Sequence, residues 1–285
     1  LTDCEDFRAV DKPMPTRIQL TKFDVASCKP YTTNILIGKR GSGKSVLLRD
    51  IMYNHRSFHD IGICCTPTME TASMFREFVP ESLIYNDYNG AALQKIVVQQ
   101  RMRQEAGKHV DRIFIVLDDC GYEKNMFSSK NTAMRDIFMN GRHYKITLYI
   151  CLQYCVDIPP AMRANTDYVY ALREPVTGNQ KRLHDFFFGI VDTFANFKKI
   201  FNAATTNYEC LVTANTGTSS NAMEDCLFWY KAKAQLPRFR LCNERYWRLH
   251  QIYYRTNSEM RERQALNGAN SAPTEGKIEI VEKKS

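Results

Sequence analysis

The sequence predicts an α/β protein whose central sheet is mostly parallel and covered by helices on both faces. Two observations carry this. Short continuous apolar runs recur along the chain: NILI (34–37), IGICCT (61–66), RIFIVLDDC (112–120), ITLYICL (146–152) and DYVYAL (167–172). Runs apolar on every residue are strands buried on both faces, and the helical patterns between them supply the crossovers that parallel strands need. In addition, the first clear run leads into a glycine-rich turn and then into the start of a helix.

Taken in order, residues 17–23 read as a first strand and residues 34–37 as the strand before the glycine turn. Residues 44–55 form a helix, with Leu47, Leu48 and Ile51 on its apolar face. IGICCT ends at Pro67, which suits a buried strand followed by a helix. Residues 83–85 are a short strand and 90–104 a long helix with a basic end at Arg101 and Arg103. After RIFIVLDDC and a polar loop comes a helix over 132–140, then the two further strands. Beyond Glu174 the pattern turns helical over 179–188 and 193–202, with strands at 208–213 and 226–231. The expected organisation is an N-terminal extension (1–30) and one main α/β domain (31–265). That domain has a core to about residue 175 and additions over 176–265, and a disordered polar tail follows (266–285).

A chain of 285 residues suffices for one large domain or a domain with an appendage. No window approaches the ~18 apolar residues of a membrane helix, and no signal peptide is visible. A soluble, intracellular protein without a membrane anchor is expected, and a first residue of Leu rather than Met is what a trimmed chain would give. The ten cysteines include no C-x-x-C pair, and several lie in apolar runs, where free cysteine acts as a small buried hydrophobe. A reducing compartment follows, and Cys151, Cys155 and His143 are too isolated to suggest zinc. The formal charge is +8, and residues 230–263 hold nine basic residues against three acidic ones, interleaved with aromatic rings. That composition suits a polyanion such as nucleic acid; a solvated rim with inward-packed rings would read the same way.

Gly38, Gly43, Lys44 and Ser45 satisfy G-x-x-x-x-G-K-[ST], with Lys39, Arg40, Gly41 and Ser42 between them. Glycines let backbone N–H groups turn inward around phosphate oxygens at a helix N-terminus. Lys44 is placed to reach the β- and γ-phosphates of ATP, and the Ser45 hydroxyl to ligate Mg²⁺. Lys39 and Arg40 are left facing phosphate, a neighbouring subunit or solvent. Asp118, at the tip of an apolar strand, is the second Mg²⁺ residue. Asp119 adds a carboxylate that can orient and deprotonate a water, unless it only caps a helix. Gln153 ends the ITLYICL run, at the strand edge where ligands bind in open parallel sheets, and it can sense the γ-phosphate or hold the water. Asp118 lies 73 positions after Ser45, and IGICCT falls in that interval. The spacing predicts IGICCT as the strand between the phosphate-loop strand and the acidic strand, as in the RecA-like additional-strand core of P-loop NTPases.

The combination of GKRGSGKS, IVLDDC, the segment from NGRHYKITLYICLQY through DIPPAMRANTDYVYALRE, and CLFWYKA resembles the FtsK/HerA branch of DNA-translocating ATPases. It is most similar to the poxvirus-type genome-packaging ATPases of large nucleocytoplasmic DNA viruses, over roughly residues 35–232. The resemblance implies ATP hydrolysis in a homo-oligomeric ring that moves double-stranded DNA, together with capsid or portal-region partners. It also implies work at viral assembly sites in the host cytoplasm or with the virion. It assigns Arg142, just before ITLYICL, as first choice for an arginine finger acting on a neighbour, and Arg163 as second choice. Either arginine would equally well cap a helix or pair with an acidic residue. Where cellular translocases carry Asp-Glu, this chain has Asp118-Asp119, one methylene shorter. DNA phosphates are expected to meet the loop 124–130 and the basic segment 238–248. A helicase or other remodelling ATPase is the alternative reading, followed by a nucleotide kinase, for which no arginine-rich lid stands out, and a scaffold without turnover.

Overall fold

The apolar runs become strands because a run apolar on both faces can be desolvated only inside a sheet covered on both sides. The computed structural model describes residues 18–123, 126–128, 130–155, 158–216, 222–256 and 259. Arg17, Lys124 and the tail 266–285 lie outside the described residues. The elements run β1 (Thr21–Lys22), β2 (Thr33–Ile37), α1 (Lys44–Asn54), β3 (Ile61–Cys65), α2 (Met69–Arg76), β4 (Ile84–Tyr85) and α3 (Gly90–Glu105). They continue as β5 (Ile113–Asp118), α4 (Thr132–Asn140), β6 (Ile146–Leu152), α5 (Pro160–Ala164), β7 (Tyr168–Ala171), α6 (Thr177–Phe187) and α7 (Phe194–Ala204). The last are β8 (Glu209–Ala214), α8 (Met223–Cys226), β9 (Leu227–Lys231) and α9 (Glu244–Tyr253). The chain divides into two compact units, Leu1–Asn243 and Glu244–Ser285, and α9 belongs to the second.

One nine-stranded sheet of order β1-β9-β8-β7-β2-β6-β5-β3-β4 organises the first unit. All its pairings are parallel except β7 with β8 and β8 with β9. Alternate residues feed two cores. Ile35, Ile115, Leu148 and Ile150 pack with Leu93 and Val97 of α3, Ile137 of α4, Leu183 of α6 and Phe197 of α7 on one face. Leu36, Phe114, Val116 and Tyr149 pack with Leu47, Leu48 and Ile51 of α1 and Phe75 of α2 on the other. The expected sheet with helices on both faces is therefore present.

Two readings need correction. The strand between the phosphate-loop strand β2 and the acidic strand β5 is β6, while β3 (IGICCT) lies beyond β5. Sequence separation reports which strands come between in the chain, not which lie between in the sheet. The β2–α1–β3 connection moves outward past two positions along one face, and the β5–α4–β6 connection moves back along the other, as right-handed crossovers in opposite directions do, so β6 takes the slot beside β2. The predicted first strand also shrinks to Thr21–Lys22, pairing only with β9 at the sheet edge.

Close packing sets individual residues. Gly62 in β3 has no room for a side chain: a Cβ there would stand 2.2 Å from the Phe114 carbonyl oxygen and 2.3 Å from its ring. Tyr230, in the CLFWYKA stretch, donates its hydroxyl to buried Asp50 at 2.5 Å, and the Lys233 N–H donates to the same carboxylate at 3.2 Å. This ties β9 to α1. The buried Tyr149 hydroxyl lies between His55 Nδ1 (2.7 Å) and His59 Nε2 (3.1 Å). Burial lowers these histidines to about 4 and about 3. None of the nine cysteines among the described residues is in a disulfide. Among the described residues no helix is long and apolar enough to cross a membrane.

Candidate nucleotide-binding and hydrolytic site

In a parallel sheet the carboxyl ends of the strands form one edge, where backbone groups are unpaired and loops converge. Here that edge collects the ends of β2, β3, β5, β6 and β7. β2 delivers the chain to Gly38, whose N–H donates to the Leu152 carbonyl at 3.0 Å. The loop then turns through Gly41 and Gly43, both left-handed at φ +77° and +97°. Gly38 also needs to be bare, since a Cβ there would lie 2.6 Å from Ser42 Oγ and 2.9 Å from Leu172. Gly43 caps α1 without a side chain, so the first N–H groups of α1 stay available for an anion. Lys44 is buried and its Nζ donates to the carbonyls of Gly38 (2.5 Å) and Lys39 (3.1 Å). The ammonium thus rests on the loop it is meant to serve, on acceptors that phosphate oxygens can replace.

Across the gap, β5 ends at Asp118, which is 3 % exposed and accepts from Thr66 Oγ1 at 3.2 Å. Burial, reinforced by the neighbouring Asp119 charge, raises its pKa against hydrogen bonds from Cys151, Thr66 and Thr71. Ser45, Asp118 and Thr66 offer only hard oxygen donors, and a buried carboxylate short of positive charge favours a cation beside it. These residues fit Mg²⁺, with Ser45 and Asp118 as the side chains that would hold it.

Asp119 leaves the strand in the left-handed conformation (φ 54°, ψ 26°), with its N–H donating to the Cys151 carbonyl at 3.2 Å. Such a conformation costs a non-glycine residue roughly 1–2 kcal/mol, and strain of this kind gathers at functional sites. Gln153, just past the end of β6, donates Nε2 to both carboxylate oxygens of Asp119 at 3.0 Å. One strand separates β5 from β2, so Asp119 stands two strand spacings, roughly 9.5 Å, from the phosphate-loop strand. That gap admits a phosphoryl group and a water.

The two arginines are elsewhere. Arg142 precedes β6 at the opposite edge of the sheet and pairs with Asp167 at 2.9 Å. The length of β6 separates it from its own phosphate loop, about 23 Å at the usual strand rise, so it cannot serve the nucleotide of its own chain. Burial raises the Asp167 pKa, and the Thr33 N–H and Arg142 oppose this. Arg163, in α5, lies with its guanidinium 3.7 Å from the centre of the Phe186 ring.

Sequence reasoning left Lys39 open. The structure pairs it with Glu174 at 3.2 Å, a 5 % exposed carboxylate just past β7 that also accepts the Val176 N–H at 2.8 Å. Arg40 is exposed. Glu174 and Thr66 were both missed, although Thr66 directly follows β3 and Glu174 stands three residues past β7, and closeness to a strand end was the available signal. Of the segment 238–248, Arg238 and Arg240 line a surface hollow with Arg49, Glu77, Phe78 and Phe239 in the first unit. Phe239 stacks on Phe78 at 4.6 Å and so packs rather than presenting a free ring. In the loop 124–130, Lys130 is exposed, whereas Lys124 falls outside the described residues.

Uncharacterized protein 088R of Invertebrate iridescent virus 3 is 32% identical over 228 residues, covering 76% of this chain and 86% of that protein. The chain belongs to the 088R family. No protein-family model matches it. Uncharacterized protein L437 of Acanthamoeba polyphaga mimivirus is 28% identical over 246 residues, 84% of this chain and 85% of that one. Among solved structures, the genome packaging NTPase B204 from Sulfolobus turreted icosahedral virus 2, in complex with AMPPCP, superimposes with a TM-score of 0.51. It is 14% identical and covers 73% of this chain and all of that one, a likeness of fold. This 088R-family chain therefore has an α/β P-loop NTPase fold with a mostly parallel sheet.

Proposed function

We propose that the protein is an ATP-driven translocase of double-stranded DNA that packages a viral genome. One observation carries the hydrolytic part: the Asp119 carboxylate, clamped by Gln153, sits at the same strand-end edge as the Gly38–Ser45 loop, with only β6 between their strands. Binding alone requires no second carboxylate there. In this reading the loop N–H groups and Lys44 hold the phosphates, and the two hydrogen bonds from Gln153 orient Asp119. Water attacks the γ-phosphorus, its proton passes to Asp119, and the bond to the β–γ bridging oxygen breaks, leaving ADP and phosphate. Mg²⁺, when bound, neutralises charge on the β- and γ-oxygens.

The position of Arg142 supports a ring. Its guanidinium is too far from its own phosphate loop to serve it and, although paired with Asp167, is 69% exposed, so exchanging that partner for a neighbour's phosphate would need no unburying. Such a finger is worth about 10³–10⁵ in rate in phosphoryl transfer. Arg163, stacked on Phe186, is the second choice. The packaging role rests on the fold shared with B204 and on the viral relatives, and the resemblance to the poxvirus-type branch refines it. The DNA would be held mainly through phosphates, so binding should be salt-sensitive and largely sequence-independent. Capsid or portal-region proteins as partners, and work at cytoplasmic assembly sites or in the virion, belong to the same reading.

The test is ATP hydrolysis with and without duplex DNA, run beside a measurement of oligomer size. Strong stimulation by duplex DNA in an oligomer, with no strand separation, is the expected result. Hydrolysis indifferent to DNA, or unwinding of the duplex, would overturn the translocase reading.

A further inference from the structure

Tyr208 plays no part in hydrolysis, yet it stands beside the phosphate loop under conditions that call for an explanation. We propose that its ring is the stacking platform for the base of the bound nucleotide. The proposal rests on the reading of Gly38–Ser45 as a phosphate cradle.

Sheet order sets the direction of the nucleotide. Asp119 and Gln153 directly follow β5 and β6, on one side of β2, so in this reading the γ-phosphate end lies toward them. The sugar and base must then leave toward the other side, where β7 and β8 follow β2. β8 runs antiparallel to β7, with Leu211 paired to Ala171. Its first residue, Glu209, therefore stands at the same edge as the phosphate loop, and Tyr208 comes just before it. The ring leans against that loop: Tyr208 Cδ1 and Cβ lie 3.3 and 3.9 Å from where a Cβ on Gly43 would be.

The conformation points the same way. Asn207 and Tyr208 are both left-handed, at φ 48° and 62°. Asn tolerates that region, whereas for a bulky Tyr it is an outlier that stored strain or function accounts for. A strained backbone normally persists because a buried side chain holds it. Here the ring is 71% exposed, so the free protein gains little burial from it. A flat apolar face held in water beside a phosphate-binding turn suits a nucleobase. Every base has a π-face, so stacking confers affinity without selecting adenine over guanine.

The test uses the full chain with Mg²⁺ and measures the dissociation constant of AMPPNP, the inhibition of ATP hydrolysis by inorganic tripolyphosphate, and self-association. The variants are Tyr208→Asn, which keeps a residue suited to the left-handed region, and Tyr208→Phe, which keeps the ring. Tyr208→Asn should bind AMPPNP roughly tenfold more weakly, with the tripolyphosphate inhibition constant unchanged and Tyr208→Phe like wild type. Wild-type affinity in Tyr208→Asn would overturn the proposal. An equal loss for tripolyphosphate would also overturn it, because the ring would then only brace the loop. A loss that tracks dissociation of the oligomer would make Tyr208 a subunit contact instead. If the wild type binds AMPPNP no better than Lys44→Ala, the phosphate cradle itself is refuted, a failure distinct from that of the stacking role.

Discussion

Asp119→Asn should separate binding from hydrolysis. Asp119 is left-handed (φ 54°), a region that Asn also tolerates, so the backbone has no reason to move. The substituted amide oxygen can still accept from Gln153 Nε2. What disappears is the negative charge and one of two 3.0 Å hydrogen bonds, at a partly exposed site. The difference between a charged and a neutral acceptor puts the stability cost at about 1 kcal/mol. The chemical cost is larger: losing a general base raises the barrier by about 3–5.5 kcal/mol, a rate loss of about 10²–10⁴. Single-turnover hydrolysis of Mg-ATP, beside equilibrium nucleotide binding, reads the two effects separately. Turnover at the wild-type rate would refute the assignment of Asp119 as base, and lost binding would show that the carboxylate serves the cradle. Asp119→Gly is the companion. Relief of about 1 kcal/mol of backbone strain is set against a similar entropy cost from the freer unfolded chain, so it should melt near the wild type yet be inactive.

Mixing Arg142→Ala with Lys44→Ala subunits should recover ATPase activity, because an intact finger can face an intact loop; no recovery at any ratio would deny action in trans. Gly62→Ala should destabilise the first unit by about 3 kcal/mol or more, since a Cβ would enter the Phe114 carbonyl and ring; an unchanged urea midpoint would contradict that packing. Acid should also destabilise the fold. With folded pKa values of about 4 and 3 for His55 and His59, below the ordinary 6.5, the unfolded chain binds more protons as pH falls. Stability is then full above about pH 7 and falls by about 2 kcal/mol per histidine by pH 5. Burial-raised Asp118 and Asp167 act oppositely, favouring the fold as pH falls. Urea unfolding at pH 7.5 and 5 checks the sign, and equal stabilities would show that the two rings are not buried neutral.

Much of the molecule was legible because its signals are local. β5 and β6 are almost wholly apolar and buried at every residue, and such runs have one stable environment. The glycine loop was legible because its backbone geometry demands glycine at Gly43 and Gly38. Other features were not legible for equally physical reasons. Nothing in ECLVTA says that β8 runs antiparallel to both β7 and β9, since strand direction depends on connections and packing. The pairing of Lys39 with Glu174 joins residues far apart in the chain, and no periodicity reports it. The aromatic segment 238–248 suited nucleic acid by composition, but composition does not tell an exposed ring from Phe239 stacked on Phe78.

By itself, then, the sequence determined the local chemistry: alternating buried strands and helices, a glycine-rich turn at a helix N-terminus, and carboxylates and an amide at strand ends. These follow from short-range rules of periodicity, backbone freedom and side-chain type. Only the tertiary structure decided that β6 rather than β3 enters the slot beside β2, that Gln153 clamps Asp119, and that Tyr208 borders Gly43. It also decided that Arg142 stands at the opposite edge of the sheet from the glycine loop, paired with Asp167. Lateral strand order arises from crossover handedness and long-range packing, which no window of the sequence contains.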